Sequence, residues 1–285
     1  MLKNYLKIAV RNISRNKLYS FINIAGLAVG MACFILIMLW IQDELSYERY
    51  NKNADRICRV IWDIDGFQIA ATPGPFANWL KETIPGIQEV TRVNHTGRKL
   101  EYKDKRLNAT VRFIEPRFFD IFPFQFIEGD PKTALNDIGS IIITKSAAQQ
   151  LFGTEDPIGK TIIQGGWSGN DHYPLKVTGV LKDIPRLTHQ YLRQSDCFLS
   201  FGLLKSWRNP DSWQAAQDYK TYVLLDQDVS YNTLTEKINT EFKKMWDKNN
   251  PEAAKISMKF FLQPLTKIHC TLILNSKIKR VIYNM

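Results

Sequence analysis

The stretch FINIAGLAVGMACFILIMLWI, from Phe21 to Ile41, decides the architecture because it is apolar throughout except at Asn23. As an α-helix it is about 30 Å long, which is the thickness of the hydrocarbon core of a bilayer. A cleavable signal peptide has a shorter apolar region and small residues at its exit, whereas this stretch ends in Leu39-Trp40-Ile41-Gln42. We therefore predict one retained transmembrane helix over residues 18–42.

The charges that flank this helix predict its orientation. The basic residues of the first 42 positions all precede the apolar stretch: Lys3, Lys7, Arg11, Arg15 and Lys17. The acidic residues Asp43, Glu44 and Glu48 follow it. Cytoplasmic flanks of membrane helices are enriched in lysine and arginine. The N-terminus is therefore expected in the cytoplasm, and the chain from residue 43 onward on the other side of the membrane.

Residues 1–17 have the pattern of an amphipathic helix. Leu2, Tyr5, Leu6, Ala9, Val10 and Ile13 share one face at helical spacing, and the opposite face carries Lys3, Lys7, Arg11 and Arg15. A basic amphipathic helix beside a membrane span is typical of an interfacial helix on anionic lipid headgroups. The alternative is a solvated extension that only sets topology.

Two glycines in the apolar stretch suggest a helix-packing face. Gly26 and Gly30 are four residues apart, and small residues at that spacing let two membrane helices approach closely. Glycine is also simply common in membrane helices, and a single GxxxG is a weak motif. The spacing nevertheless favours a partner helix, from a second copy or from a partner permease.

Net charge and cysteine content exclude two classes of protein. The net charge of +10 arises mainly from the five N-terminal basic residues and from Lys277, Lys279 and Arg280, so the body is nearly neutral. We expect no nucleic-acid partner. The four cysteines lack zinc-site spacing. One disulfide among Cys58, Cys197 and Cys270 stays an open alternative in an oxidising compartment.

The rest of the chain, residues 43–269, predicts an α+β domain. Runs rich in β-branched residues predict strands at 57–64, 88–94, 219–225 and 255–262. Between the first pair, Thr72-Pro73 predicts a helix start with Phe76, Leu80 and Ile84 buried. Between the second pair, residues 231–246 predict a helix that buries Leu234, Ile238, Phe242 and Met245. Two such strand–helix–strand units imply a two-lobed domain, with a second lobe inserted at about 98–215.

The middle of the chain contains an aromatic run and a capped helix. The run FFDIFPFQF, residues 118–126, is interpreted as a core segment rather than a binding site. Residues 140–144 predict a short buried strand. A helix is expected over 145–152, with Thr144 as its N-cap and Gly153 as its end.

Three features resemble catalytic motifs without meeting their requirements. The segment GTEDPIGKT, residues 153–161, has one residue too many for a phosphate-binding loop, and the order of its flanking helix and strand is reversed. The segment GWSGN, residues 166–170, lacks the second glycine of a nucleophile elbow. The histidines at 95, 172, 189 and 269 have no partner motif. We expect no catalytic, cofactor-binding or metal-binding residues.

Several segments together resemble one family, the FtsX/MacB-type permeases of ABC transporters. They are ARNISRNKLYSFINIAGLAVGMACFILI (9–37), DRICRV (55–60), RFFDIFPFQFIEGDP (117–131), IIITKSAAQQLFGTEDPIGKTI (141–162), VTGVLKDIP (177–185) and LQPLTKIH (262–269). The resemblance implies a MacB-like periplasmic core domain, and it explains the GKT segment as a turn of that domain. It also implies the inner membrane of a bacterium as the location.

The resemblance implies a non-catalytic subunit, without a cofactor, that couples a separate cytoplasmic ATPase to a periplasmic domain. Its expected partners are the bilayer, a second copy or partner permease, the ATPase, and periplasmic or outer-membrane components. Such permeases continue into further membrane helices, whereas the tail at 270–285 has no stretch long enough to span a bilayer. The chain is thus expected to be an N-terminal, truncated portion. The alternatives are a stand-alone single-pass anchor that presents a periplasmic sensing or interaction domain, and a membrane-anchored hydrolase.

Overall fold

The computed structural model describes residues 2–165, 172–206, 212–213, 219–250 and 257–268. The chain forms two compact units, residues 1–46 and 47–285. The GWSGN segment, His269, Cys270 and the tail at 270–285 lie outside the described residues.

The first unit consists of two helices. Helix α1 (Leu2–Arg15) has the amphipathic sequence expected for residues 1–17, and helix α2 (Lys17–Ser46) contains the whole apolar stretch. None of the residues of α2 is buried, although a soluble helix this apolar would lie in a core. Among the described residues, α2 is the one helix long and apolar enough to span a membrane.

The ends of the second unit form two strand–helix–strand units. Strand β1 (Ile57–Ile64) is followed by the short β2 (Phe67–Ile69), helix α3 (Phe76–Thr83) and strand β3 (Ile87–Tyr102). Near the other end, strand β10 (Lys220–Leu225) leads through helix α7 (Tyr231–Asn249) to strand β11 (Met258–Pro264). The helices form because each presents apolar residues at intervals of four: Phe76 and Leu80 on α3, and Leu234, Ile238 and Phe242 on α7.

The middle of the chain supplies the remaining elements. In chain order they are β4 (Lys105–Ile114), α4 (Phe118–Ile121), β5 (Phe126–Glu128), β6 (Ser140–Thr144), α5 (Lys145–Phe152), β7 (Thr161–Gly165), β8 (His172–Leu181), α6 (Gln190–Arg193) and β9 (Cys197–Ser200). Short 3₁₀ turns lie at Ala54–Arg56, Phe201–Ser206 and Leu265–Lys267.

All strands of the described residues join one mixed sheet in the order β11-β1-β10-β3-β4-β9-β6-β8-β5, with β2 beside β1 and β7 beside β3 and β8. Strand β10 lies between β1 and β3, and β1 lies between β10 and β11, all antiparallel. The two strand–helix–strand units therefore interleave, which is a split βαβ arrangement. The parallel pairs are β4 with β9 and β6 with β8.

Buried apolar side chains of the described residues form three clusters, and the inserted lobe at about 98–215 stays a prediction. One cluster takes its buried members from Leu100 to Tyr219, within the middle of the chain. A second takes them from 58–90 and 223–262, and it includes the stacked rings of Phe76 and Phe260. A third, which contains Phe118, Phe122 and Tyr222, combines residues of both parts. The aromatic run is thus a core segment, as predicted.

Two sequence predictions require correction. Thr72 does not cap a helix, because its hydroxyl lies 2.6 Å from that of Thr221 and its backbone bridges to Tyr219, while α3 begins only after Pro75. Strand β3 continues eight residues beyond the expected end at Asn94, because it pairs with β4 as far as Tyr102. In addition, Cys58 and Cys197 are buried free thiols and do not pair with each other.

Candidate functional site

The candidate site is built around residues 47–51, the segment that follows α2 directly in the chain. Tyr47, Glu48 and Asn51 are buried, although two of them are strongly polar. Glu48 also has a φ of 64°, in the left-handed region that non-glycine residues adopt only at a cost. A buried carboxylate in this backbone conformation needs specific partners, and we call the group that supplies them the joint: residues 47–51 with 187–189 and Tyr222.

Glu48 connects the two segments of the joint by its backbone and its side chain. Its N–H donates to the carbonyl oxygen of Leu187 at 2.8 Å. Its Oε1 accepts the backbone N–H of His189 at 2.6 Å and also contacts His189 Nδ1. Hydrogen bonds to a charged acceptor are stronger than neutral ones, so these contacts fix residues 187–189 against the segment after α2.

His189 extends this chain of hydrogen bonds into the sheet. Its Nε2 lies 2.8 Å from the hydroxyl of Tyr222 on β10. Burial lowers the pKa of His189, with Arg59 and Arg112 as smaller causes in the same direction, and the Glu48 carboxylate opposes the shift. The ring is therefore neutral at pH 7, with Nδ1–H donating to Glu48 and Nε2 accepting from Tyr222. Burial also raises the pKa of the Tyr222 phenol, which stays a donor.

Two further contacts hold the same segment. The hydroxyl of Thr188 donates to that of Tyr50 at 3.0 Å, and Asn51 Nδ2 donates to the carbonyl oxygen of Ile121 at 2.9 Å. Asn51 Oδ1 accepts the N–H of Asn53 at 3.0 Å, which shapes the turn before β1. The segment is thus tied to the loop at 187–189 and to the end of α4.

Two buried arginines border the joint. Arg59 of β1 donates to Gln263 Oε1 at 2.7 Å, and Arg112 of β4 donates from Nε to Ser195 Oγ at 3.1 Å while its guanidinium lies 4.5 Å from the ring centroid of Tyr191. Burial lowers the pKa of both arginines. Glu48 Oε2, Arg59 Nε and Arg112 Nη1 are buried without a hydrogen-bond partner in the described part of the chain. The joint therefore contains polar groups that its contacts only partly satisfy.

The joint has the residue types of an acid–base site but not the access that such a site needs. Glu48 and His189 are each 0% exposed, so a substrate cannot contact the carboxylate or the imidazole. The contacts fasten the segment at 47–51, through His189, to the interior strand β10.

The GKT segment forms an exposed turn stabilised by ion pairs. Glu155 lies 2.6 Å from Lys160 Nζ and 2.9 Å from Lys103 Nζ, and these hydrogen bonds lower the pKa of Glu155 to about 2. Helix α5 precedes the turn and β7 follows it. No helix N-terminus faces the turn from its C-terminal side, so it lacks the amide donors of a phosphate-binding loop.

The residues singled out from the sequence lie elsewhere, in the first unit. Gly26 and Gly30 are on α2, where an added Cβ would meet nothing within 4 Å. Lys7, Arg11 and Arg15 are exposed on α1, while the side chain of Lys3 lies outside the described part. Their roles in helix packing and lipid binding stay predictions. Sequence reasoning took Glu48 only as a flanking charge and His189 as an isolated histidine.

Comparisons with known proteins agree with this fold. A family model described as the MacB-like periplasmic core domain matches residues 20–241. No curated protein matches the chain. Among solved structures, a domain of a protein described as a permease from Porphyromonas gingivalis is 26% identical with a TM-score of 0.61, and the match covers 75% of this chain and 92% of that one.

Two further solved structures share the fold at lower identity. The periplasmic region of MacB from Actinobacillus actinomycetemcomitans is 18% identical with a TM-score of 0.53, covering 81% of this chain and 94% of that one. The extracellular domain of the noncanonic ABC-type transporter YknZ from Gram-positive bacteria is 19% identical with a TM-score of 0.51, covering 73% and 99%.

Proposed function

Because the chain belongs to the family with the MacB-like periplasmic core domain, whose members are ABC transporter permease components, we propose that it is a non-catalytic permease subunit of an export or mechanotransmission system. The observation that carries the proposal is the extent of the match. Residues 20–241 include most of α2 and the folded domain as far as the middle of α7, so the membrane helix and most of the domain resemble the family together.

In this function the chain couples a cytoplasmic ABC ATPase to a domain across the membrane. ATP hydrolysis takes place on the separate subunit, and the permease passes on a movement. The burial of Glu48 and His189 supports a non-catalytic role, because the most strongly interacting acid–base pair of the joint is closed to solutes. The exposed GKT turn, paired with Glu155, supports it as well.

The proposed location is the bacterial inner membrane, with the N-terminus in the cytoplasm and residues 47–268 in the periplasm. The charge asymmetry about α2 supports this orientation. The periplasmic and extracellular origins of the solved relatives agree with it. Exposed Lys7, Arg11 and Arg15 would then lie near anionic headgroups on the cytoplasmic side.

The proposed partner in the membrane is a second copy or a related permease. The same proposal implies further partners in the periplasm or outer membrane. The four-residue spacing of Gly26 and Gly30 supports a partner helix at that face.

The proposal is tested by capture from cross-linked membranes of the native host. The tagged full chain is expected to recover an ABC ATPase subunit, identified by mass spectrometry from its nucleotide-binding motifs. The matched control is the same chain with Lys7, Arg11, Arg15 and Lys17 reversed to glutamate, which should invert the helix or block its insertion. Recovery of periplasmic proteins alone would favour a stand-alone anchor and contradict the permease proposal.

A further inference from the structure

A few groups of the joint make most of its hydrogen bonds. The N–H of Glu48 is bonded to Leu187, and the N–H of His189 is bonded to the Glu48 carboxylate. Neither bond belongs to a helix or a strand ladder. Loss of the carboxylate would therefore free the N–H of His189 without breaking a bond of the sheet.

The partners on the other side of the joint are rigid. Tyr222, which donates to His189, is on β10 between β1 and β3 and is 0% exposed. The ring of Phe122 packs edge-on against Tyr222 at a centroid distance of 5.1 Å. The joint thus connects a strand of the sheet to two segments, 47–51 and 187–189, that lie outside the helices and strands.

The closed position also carries two unfavourable features. Glu48 is held at a φ of 64°, and its Oε2 is buried without a hydrogen-bond partner in the described part of the chain. Both are relieved when the segment leaves the domain, because the backbone can then relax and water can solvate the carboxylate. Opening of the segment would thus remove two unfavourable features, whereas opening of the sheet would expose its apolar core.

From these observations we propose that Glu48, His189 and Tyr222 form a latch, which opens locally and releases residues 47–51 and 187–189 together while the sheet stays folded. The latch itself rests only on the contacts of the joint.

The test is hydrogen exchange by mass spectrometry on the full chain in nanodiscs. In the wild type, peptides covering 47–51 and 187–189 should exchange at matching rates, faster than the peptide covering β10. Glu48→Ala should speed the exchange of both peptides by about tenfold or more and leave β10 unchanged. Glu48→Gln keeps an acceptor for the His189 N–H, so it should produce a smaller increase.

The matched control is Glu115→Ala, which removes another carboxylate paired within the domain. Glu115 follows the end of β4 directly and binds Arg92 of β3. The distance between Glu115 Oε1 and Arg92 Nη2 is 2.6 Å. This variant should leave the exchange of 47–51 at the wild-type rate. The latch would be refuted if Glu48→Ala left 47–51 unchanged, or if it raised exchange equally across β1 and β10. Since no ATPase is present, a failed capture experiment would not alter this result.

Discussion

At the scale of single residues, the joint depends on an interaction that local sequence could not reveal. Glu48 and His189 are 141 residues apart. Each looks ordinary in its own surroundings, Glu48 as one of three acids after a membrane helix and His189 as a histidine without a motif. Only the fold of the whole domain brings them together, so sequence reasoning could not have identified this pair.

The first prediction concerns pH and His189. Since burial lowers its pKa below the ordinary value of 6.5, the unfolded chain binds this proton more readily than the folded chain. The stability is therefore full above pH 6.5 and falls as the pH decreases through that value. The midpoint of thermal unfolding, measured in steps from pH 7.5 to 5.5, should decrease.

The control is a pair of histidine variants. His189→Gln should flatten this slope between pH 7.5 and 5.5, whatever its effect on stability at pH 7.5. His172→Gln, at an exposed position, should keep the wild-type slope. The carboxylate of Glu155, with a pKa of about 2, titrates below this window and cannot produce the slope. An unchanged slope in His189→Gln would contradict the assignment.

At the scale of elements, sequence predicted the bounds best where a cap or a breaker marks the end. Helix α5 begins and ends at the expected residues because Thr144 accepts the N–H of Ala147 and Gly153 adopts a φ of 68°. Strand β1 also has the expected bounds. Strand β3 does not, because its second half is held by β4 through a turn at Lys103-Asp104, which lacks the asparagine–glycine signal of tight hairpins.

The second prediction concerns the cap of α5. Removing the hydroxyl of Thr144 leaves the N–H of Ala147 without its acceptor, which costs about 1 kcal/mol in typical caps. In a domain of this size, Thr144→Val should lower the midpoint of thermal unfolding by about 2–4 °C. Thr144→Ser removes only the methyl group and should retain most of the stability. A loss of stability in Thr144→Ser without a loss in Thr144→Val would show that packing of the methyl group, rather than capping, matters here.

At the scale of the whole chain, the sequence predicted the order of the helices and strands but not which strands pair with each other. The two strand–helix–strand units are visible in the sequence, whereas one core cluster combines side chains from the ends and from the middle of the chain. The interleaving of β10 between β1 and β3, and the parallel pairing of β4 with β9, join segments far apart in the chain. Such pairings leave no local pattern, because each strand fits several neighbours equally well.

The last prediction concerns association through α2. A Cβ added at Gly30 meets nothing of this chain within 4 Å, so Gly30→Leu should leave the described fold intact and act on contacts with a partner helix. Cys33 is an exposed thiol seven residues after Gly26, on the same face, and it can report the contact by oxidative cross-linking in membranes. Interhelical contacts in membranes contribute about 1 kcal/mol, so Gly30→Leu should reduce the cross-linked dimer about fivefold.

Ala28→Leu adds similar bulk on the opposite face of α2, two residues from each glycine, and should leave cross-linking near the wild-type level. Cys33→Ser identifies any background from other thiols, since Cys58 and Cys197 are buried. If Gly30→Leu and Ala28→Leu cross-link as well as the wild type, the glycines are not the contact face. If Ala28→Leu alone weakens the dimer, the partner packs against the other side of the helix. Only a selective loss in Gly30→Leu is consistent with close approach of two backbones at Gly26 and Gly30.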